Sequence, residues 1–192
     1  MARVGILASG GGSNFQAIAE HLASHPGPGG VHEVAVLLCD KPGAYCLDRA
    51  AKLGVPAHTV AYTKGEREAA ERQLTAHLEA AGTDLVVLAG FMRILTPLFV
   101  RRWQGKLINI HPALLPRHPG AHGLEDSYDS GDPELGITVH YVDEGVDTGP
   151  VIEQRSFPRH AKMSLEEAEF RIHELEHELY PVVVRRLLDS LA

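Results

Sequence analysis

The sequence is poor in cysteine, and its two cysteines do not form a recognisable site. Cys39 and Cys46 are separated by six residues, so they match neither a CxxC zinc pair nor a disulfide framework. The histidine pair His173 and His177 lies in a charged segment near the carboxyl end, without a third ligand at a zinc spacing. We therefore expect two reduced structural thiols and no bound metal.

The sequence also lacks any long hydrophobic run and any excess of positive charge. No stretch reaches the roughly 18 apolar residues that cross a bilayer, and MARVGILASG at the beginning lacks the basic and long apolar parts of a secretion signal. The formal net charge of −7 argues against broad affinity for nucleic acid or for an anionic membrane surface. We expect a cytoplasmic protein without nucleic-acid or membrane partners, whose assembly as a monomer or a homodimer the sequence leaves open.

The sequence does contain a regular alternation of strand-like and helical patterns. Short apolar runs at ARVGILAS, HEVAVLLC, DLVVLAG and KLINIH alternate with helical spacing at SNFQAIAEHLA, YCLDRAAKLG and GEREAAERQLTAHLEAAG. This order predicts a parallel, right-handed wound sheet, and Gly82 is a candidate helix stop. GITVHYV and PVIEQRSFP then predict a hairpin before a long final helix. We expect one α/β domain over residues 1–192, Rossmann-like, with helices flanking a mostly parallel mixed sheet.

The segment SGGGSNFQAI, residues 9–18, directly follows the first predicted strand. Its glycines allow the backbone to approach a ligand closely, while Ser13 or Asn14 can cap the next helix and leave N–H groups facing an anion. The third glycine of a GxGxxG fingerprint and the lysine of a P-loop are both absent. A phosphate site and a plain capped turn are equally open at this point.

Residues 107–120, LINIHPALLPRHPG, place an amide and an imidazole at the end of a predicted strand. Ligands of open α/β sheets bind at the carboxyl ends of strands. In extended backbone Asn109 and His111 point to the same side, so both can address one small volume. The prolines that follow stiffen the departing loop. The alternative is a structural asparagine capping the loop beside a half-buried histidine.

The turn DEGVDTG, residues 143–149, carries three carboxylates between the two hairpin strands. A buried carboxylate beside His111 would favour its imidazolium form, which is a useful proton donor near neutral pH. The pattern does not distinguish Asp143, Glu144 and Asp147. Exposed turn acids are the alternative.

The segment VLAGFMRILTP, residues 87–97, adds an apolar surface interrupted by one arginine. It is typical of an ordinary strand-to-helix crossover, and it could also line a pocket for a flat aromatic ligand. Periodicity does not decide between these interpretations.

Five segments occur in an order and spacing that are highly specific when taken together. They are GILASGGGSNFQAI, VVLAGFMRIL, LINIHPALLPRHPGAH, GITVHYVDEGVDTGP and ELEHELYP. In this combination the chain closely resembles, over nearly its entire length, the phosphoribosylglycinamide formyltransferase family, folate-dependent enzymes of purine biosynthesis. The resemblance implies the formyltransferase fold. It also implies transfer of a formyl group from 10-formyltetrahydrofolate, acting as cosubstrate, to glycinamide ribonucleotide.

The resemblance further implies roles for individual residues. Asn109 and His111 resemble the catalytic amide and imidazole, and Asp147, directly before a Thr-Gly-Pro sequence, resembles their carboxylate partner. The implied ribonucleotide contacts are Gly12, Ser13 and Asn14 for the phosphate and Glu176 for the ribose. The implied folate contacts are Arg67, Met92, Arg93, Ile94, Leu95 and Asn109, with the backbone of residues 142–147 close to the pterin.

Other functions fit the sequence less well. A formyltetrahydrofolate hydrolase is disfavoured by the phosphate-like glycine segment, and formylation of methionyl-tRNA by the lack of a basic RNA-binding region. A noncatalytic folate- or nucleotide-binding module would not need Asn109, His111 and Asp147 together. An NAD-dependent oxidoreductase is disfavoured by the incomplete glycine fingerprint.

Overall fold

The architecture is a seven-stranded sheet with helices on both faces, seen in a computed structural model that describes residues 1–27 and 30–191. In chain order the elements are β1 (Arg3–Ala8), α1 (Ser13–Ser24), β2 (Glu33–Cys39), α2 (Tyr45–Leu53), β3 (Ala57–Thr59), α3 (Arg67–Ala80), β4 (Leu85–Leu88), α4 (Pro97–Arg102), β5 (Leu107–His111), α5 (Gly123–Asp129), β6 (Glu134–Tyr141), β7 (Val151–Pro158) and α6 (Leu165–Leu191). None of these helices is both long and apolar enough to cross a membrane.

The strand order is β3-β2-β1-β4-β5-β6-β7, so the sheet is wound outward in both directions from its centre. Strands β1 to β5 are parallel, whereas β6 pairs antiparallel with both β5 and β7. The predicted mixed, mostly parallel sheet is therefore confirmed. The order reverses between β1 and β4, and the carboxyl ends of strands at such a switch point form a crevice for ligands.

Two layers of apolar side chains bury the two faces of the sheet. Because successive strand residues point to opposite faces, Ile6 packs with the cluster under α1 and α6, while Leu7 packs with the cluster under α3 and α4. Phe15 from α1 and Phe99 from α4 are among the largest fully or nearly fully buried side chains of the two layers. Burial on both faces explains why the central strands appear in sequence as continuous apolar runs.

Every predicted strand and helix is present, and three further short elements are present that the periodicity did not predict. Strand β3 has three residues, α4 has six and α5 has seven, which is too short for a repeating apolar pattern. Helix α4 begins where the Thr96 side chain accepts a hydrogen bond from the N–H of Phe99, with Pro97 in the first turn. The predicted stop at Gly82 is confirmed, since α3 ends at Ala80 and Gly82 has a φ of 65°.

Candidate active site

The predicted ligand-binding segments meet at one edge of the sheet. The glycine segment follows β1, residues 89–96 follow β4, and Asn109 and His111 end β5, all at the carboxyl ends of parallel strands. The hairpin turn arrives differently. Tyr141 at the end of β6 pairs with Ile108 near the start of β5, so residues 142–150 must fold back along the sheet to bring Asp147 to His111.

Asp147, the carboxylate that the family resemblance implied, lies beside His111. Oδ2 of Asp147 lies 3.4 Å from Nδ1 of His111 and accepts a 2.8 Å hydrogen bond from the N–H of Gly120. The other ring nitrogen of His111, Nε2, donates a 2.7 Å hydrogen bond to the carbonyl of His118. The candidates Asp143 and Glu144 point elsewhere: Asp143 accepts from Thr148 within the turn, and Glu144 pairs with Arg101.

His140 is a member of this cluster that the sequence analysis missed. It lies on β6 directly opposite Asn109, with only 1% of its surface exposed. Its Nδ1 donates to the carbonyl of Tyr141 at 2.8 Å, and its Nε2 lies 3.4 Å from both Nδ2 of Asn109 and Oδ1 of Asp147. A histidine inside the otherwise apolar strand GITVHYV was the available signal, but the pairing partner could not be read from it.

The hydrogen bonds fix which ring nitrogens carry protons. A carbonyl oxygen can only accept, so Nε2 of His111 and Nδ1 of His140 are the protonated nitrogens of the neutral rings. Their other nitrogens both face the carboxylate of Asp147, which is also only an acceptor when ionised. Each contact becomes favourable when a proton lies between nitrogen and oxygen. The Asp147 carboxylate thus lies between two imidazoles, each 3.4 Å away.

The ionisation of Asp147 follows from the same contacts. Burial by itself raises the pKa of this carboxyl group, but the contact with His140, the hydrogen bond from the Gly120 N–H and the attraction of the His111 and His140 rings outweigh it, so the pKa lies below its ordinary value. Asp147 is therefore an anion at neutral pH, even though its side chain is only 13% exposed.

The members of the cluster differ in how far a substrate can reach them. The His111 side chain is 4% exposed and that of His140 is 2% exposed, whereas Asn109 is only half-buried. Asn109 is thus the accessible hydrogen-bond donor of the cluster, whereas the side chains of His111 and His140 are enclosed. Its amide faces His140 at 3.4 Å, which is longer than an ordinary hydrogen bond and leaves it available to a ligand.

The glycine segment forms an open helix start, which corrects the predicted cap. Gly12, with a φ of 74°, precedes α1, and neither Ser13 nor Asn14 caps the helix through its side chain. Ser13 is already the first helical residue, and the Asn14 amide instead donates to Glu176 at 3.0 Å. Without a side-chain cap, the first-turn N–H groups and the positive end of the helix dipole are free to bind an anion.

Polar groups of α6 and α2 surround this helix start. Oε2 of Glu176, which is buried, lies 3.1 Å from Nδ1 of His173, and this hydrogen bond raises the pKa of His173 although burial opposes it. Arg49, which the sequence analysis missed, donates from Nε to the carbonyl of Gly11 at 2.8 Å. The side-chain oxygen Oδ1 of Asn14 is buried without a hydrogen-bond partner, so it can accept from a ligand hydroxyl.

The apolar segment after β4 exposes Met92, Arg93 and Ile94, whereas Leu95 is half-buried and packs against the core. Met92 is 62% exposed and Ile94 is 66% exposed, so both side chains are accessible to a ligand. The guanidinium of Arg93 is paired with the buried carboxylate of Asp40 at 2.5 Å. Arg67, the first residue of α3, lines a groove of about 470 Å³ that also includes Thr96, the residue directly after Leu95.

The cysteines and the remaining candidate metal ligands are not part of the His111, His140 and Asp147 cluster. Cys39 and Cys46 are buried free thiols, and burial raises the pKa of Cys46 to about 12. Within residues 1–27 and 30–191, no three His, Cys, Asp or Glu side chains converge in an arrangement that could hold a metal ion. The pair His173 and His177 stacks with ring centroids 6.4 Å apart.

Comparison with known proteins relates this geometry to a family. Residues 2–184 match the formyl transferase family. The phosphoribosylglycinamide formyltransferase of Bacillus subtilis (strain 168) is 40% identical over 189 residues, which cover 98% of this chain and 95% of that protein. The corresponding protein of Escherichia coli (strain K12) is 40% identical over 186 residues, covering 96% and 86% of the two proteins.

Solved structures and longer relatives show the same similarity. Glycinamide ribonucleotide transformylase 1 from Geobacillus kaustophilus superposes with a TM-score of 0.91 at 44% identity, covering 98% of this chain and 99% of that one. The trifunctional purine biosynthetic protein adenosine-3 of Drosophila melanogaster is 41% identical over 192 residues, and the chain spans 14% of its length. The family model and these relatives cover nearly the whole chain, so the chain belongs to the formyl transferase family.

Proposed function

We propose that this chain is a phosphoribosylglycinamide formyltransferase, which transfers the formyl group of 10-formyltetrahydrofolate to the amine of glycinamide ribonucleotide. The observation that carries the proposal is the cluster in which one carboxylate, Asp147, faces two enclosed imidazoles behind the accessible amide of Asn109. An uncapped helix start and an exposed apolar segment flank this cluster at the same sheet edge. We also propose that residues 1–192 form a single domain, because every residue of the proposed site belongs to this chain.

The ribonucleotide is expected to bind at the glycine segment. Gly12, Ser13 and Asn14 offer backbone N–H groups at the start of α1, where a phosphate gains from both hydrogen bonds and the helix dipole. The carboxylate of Glu176 is a hydrogen-bond acceptor, and so is the unpartnered Oδ1 of Asn14. Two adjacent acceptors suit the hydroxyl groups of a ribose.

The folate is expected to bind across the segment after β4. Met92 and Ile94 provide exposed apolar surface for its ring system, and the half-buried Leu95 contributes the part of its side chain that the core leaves accessible. The Arg93 side chain is paired with Asp40. Arg67 lines the neighbouring groove and can attract the carboxylates of the folate tail. The backbone of residues 142–147 and the amide of Asn109 are expected to approach the pterin and the formyl group.

The reaction is a direct transfer without a covalent enzyme intermediate. The substrate amine attacks the formyl carbon, and the carbonyl oxygen becomes negative in the resulting tetrahedral species. Asn109 donates a hydrogen bond to this oxygen, where losing one well-placed donor costs about 3 kcal/mol. His111 lies beside Asp147, and in its protonated form it would stabilise the same oxygen through its positive charge.

The bond between the formyl carbon and the folate nitrogen then breaks. The attacking amine must lose one proton and the departing folate nitrogen must gain one, so the transfer is neutral in protons. The cluster of His111, His140 and Asp147 would mediate this proton exchange. The proton for the folate nitrogen would come either from His111 or from a water that Asp147 holds. The 3.4 Å contacts of Asp147 with the two imidazoles are expected to shorten when both substrates are bound.

Incubation with both substrates tests the proposal. We expect formylglycinamide ribonucleotide and tetrahydrofolate to appear together, and only when glycinamide ribonucleotide and 10-formyltetrahydrofolate are both present. Loss of the formyl group without ribonucleotide would instead identify a hydrolase, and binding without turnover a noncatalytic module. We also predict a cytoplasmic location and no nucleic-acid, membrane or metal partners. The choice between monomer and homodimer stays open.

A further inference from the structure

A short segment after β5 holds both members of the catalytic pair by backbone groups. The carbonyl of His118 accepts the 2.7 Å hydrogen bond from Nε2 of His111, and the N–H of Gly120 donates the 2.8 Å bond to Asp147. Because both contacts use main-chain groups, their geometry depends on the path of the segment. Whatever fixes the path of residues 117–120 therefore fixes the pair.

The path of this segment is one that most residues avoid. His118 has a φ of 54°, in the left-handed region where a side chain is crowded by its own backbone. A residue keeps such a conformation only where its surroundings hold it there. The contacts of the His118 side chain supply that restraint.

A single carboxylate, that of Asp132, restrains the segment through two successive side chains. Its Oδ2 lies 2.8 Å from Nε2 of His118 and its Oδ1 lies 3.0 Å from a terminal nitrogen of Arg117. Asp132 is anchored in turn, because it lies two residues before β6 and the carbonyl of Pro133 accepts a 2.8 Å hydrogen bond from the N–H of Arg159. The carboxylate is therefore fixed to the sheet, and the segment is fixed to the carboxylate.

The charges favour these contacts. Burial opposes the ionised form of Asp132, but the hydrogen bond from His118 and the charge of Arg117 together lower its pKa below the ordinary value. The Asp132 side chain is 15% exposed and that of His118 18% exposed, whereas Arg117 is 51% exposed. The bond to His118 is hence better shielded from solvent than the bond to Arg117, so it is the stronger restraint.

We infer that Asp132 is a positioning residue for formyl transfer, which acts through His118 and the backbone of residues 118–120 on His111 and Asp147. This inference rests on the proposed function, since it concerns the same catalytic pair. Asp132 does not touch that pair itself. Its effect is confined to how well the imidazole and the carboxylate are aligned when the tetrahedral species forms.

The test replaces Asp132 by asparagine and measures kcat and KM separately for both substrates. Asp132→Asn keeps the volume and removes the charge, so we expect kcat to fall about tenfold, short of the roughly 100-fold loss for a 1 Å misplacement of a catalytic group. KM for the ribonucleotide should change by less than about twofold, because its proposed contacts lie on α1 and α6. Asp129→Asn, an identical change at the exposed end of α5, should leave both constants unchanged.

A double-mutant cycle separates positioning from general loosening of the fold. If Asp132 acts through Asp147, then Asp132→Asn should cost much less in an Asp147→Asn background than in the native protein. Equal costs in both backgrounds, or an unchanged kcat in the single variant, would overturn the inference. If Asp132→Asn does not fold, the same cycle uses His118→Ala, and His118→Gln, which keeps a donor for Asp132, should retain most of the rate. A native protein without transfer activity would contradict the proposed function itself, which is a different outcome.

Discussion

Replacing Asp147 by asparagine should slow formyl transfer while leaving the fold intact. The change keeps the side-chain volume and the acceptor for the N–H of Gly120. The φ of 53° at this position is one that asparagine adopts as readily as aspartate, so no backbone strain is added. What disappears is the negative charge between His111 and His140.

The size of the effect follows from the distances. A charge pair at the 3.4 Å that separates Asp147 from each imidazole interacts by about 5 kcal/mol at an effective dielectric constant near 20. The net loss is smaller, since the asparagine dipole remains, and hydrogen bonds to charged groups contribute about 1.5–3 kcal/mol. At about 1.4 kcal/mol for each factor of ten, kcat should fall roughly 100-fold.

The pH dependence of the transfer rate tests the same negative charge of Asp147. Because the pKa of Asp147 is depressed in the folded protein, its contribution to stability is complete above its ordinary pKa and is lost as the pH falls through the depressed value. The native rate should have an acidic limb from this ionisation, and the Asp147→Asn variant should lack it. Steady-state kinetics from acid to neutral pH, with circular dichroism as the control for folding, measures both. A folded variant with kcat within about threefold of native would refute the role of this charge.

Three further changes address the other parts of the site. Gly12→Val should weaken ribonucleotide binding in a titration, because a Cβ at this position would lie 2.5 Å from the Cβ of Cys46 and would force the loop away from the phosphate; unchanged affinity in a folded variant contradicts the phosphate site. Leu95→Asp should weaken folate binding selectively, because it places a charge in a mostly apolar pocket. Leu98→Asp, at an exposed leucine on α4, should leave folate binding unchanged. Equal folate affinities of the native protein and a folded Leu95→Asp variant would remove this segment from the site. His140→Gln should move the acidic limb of the rate profile to higher pH, because it removes a group that lowers the Asp147 pKa, and an unmoved limb would exclude His140 from the proton exchange.

The parts of the fold and site that sequence predicts are those with a local pattern. Long buried strands and amphipathic helices repeat over enough residues to be recognised, and Asn109 with His111 follows from the two-residue period of a strand. The choice of Asp147 over Asp143 and Glu144 came only from family resemblance. No local pattern shows that the turn folds back across the sheet, because that path depends on long-range contacts such as the N–H of Val142 donating to the carbonyl of Leu107.

The residues that sequence missed depend on register and on convergence of distant segments. His140 joins the cluster because β6 is antiparallel to β5 in the register that sets it opposite Asn109, and a one-residue shift would turn it to the other face. Arg49 reaches the carbonyl of Gly11 across 38 residues of sequence. The predicted side-chain cap failed for a related reason, since Asn14 has a stronger partner in the distant carboxylate of Glu176.

The enclosed cluster is proposed to pass a formyl group directly from folate to an amine. Tracing an isotope-labelled formyl carbon of 10-formyltetrahydrofolate in the presence of glycinamide ribonucleotide tests this most directly. We expect the label to appear in the formamide group of formylglycinamide ribonucleotide, at the rate at which tetrahydrofolate forms, and we expect Asn109→Ala to slow both together. Label released as free formate while the ribonucleotide stays unformylated would contradict it.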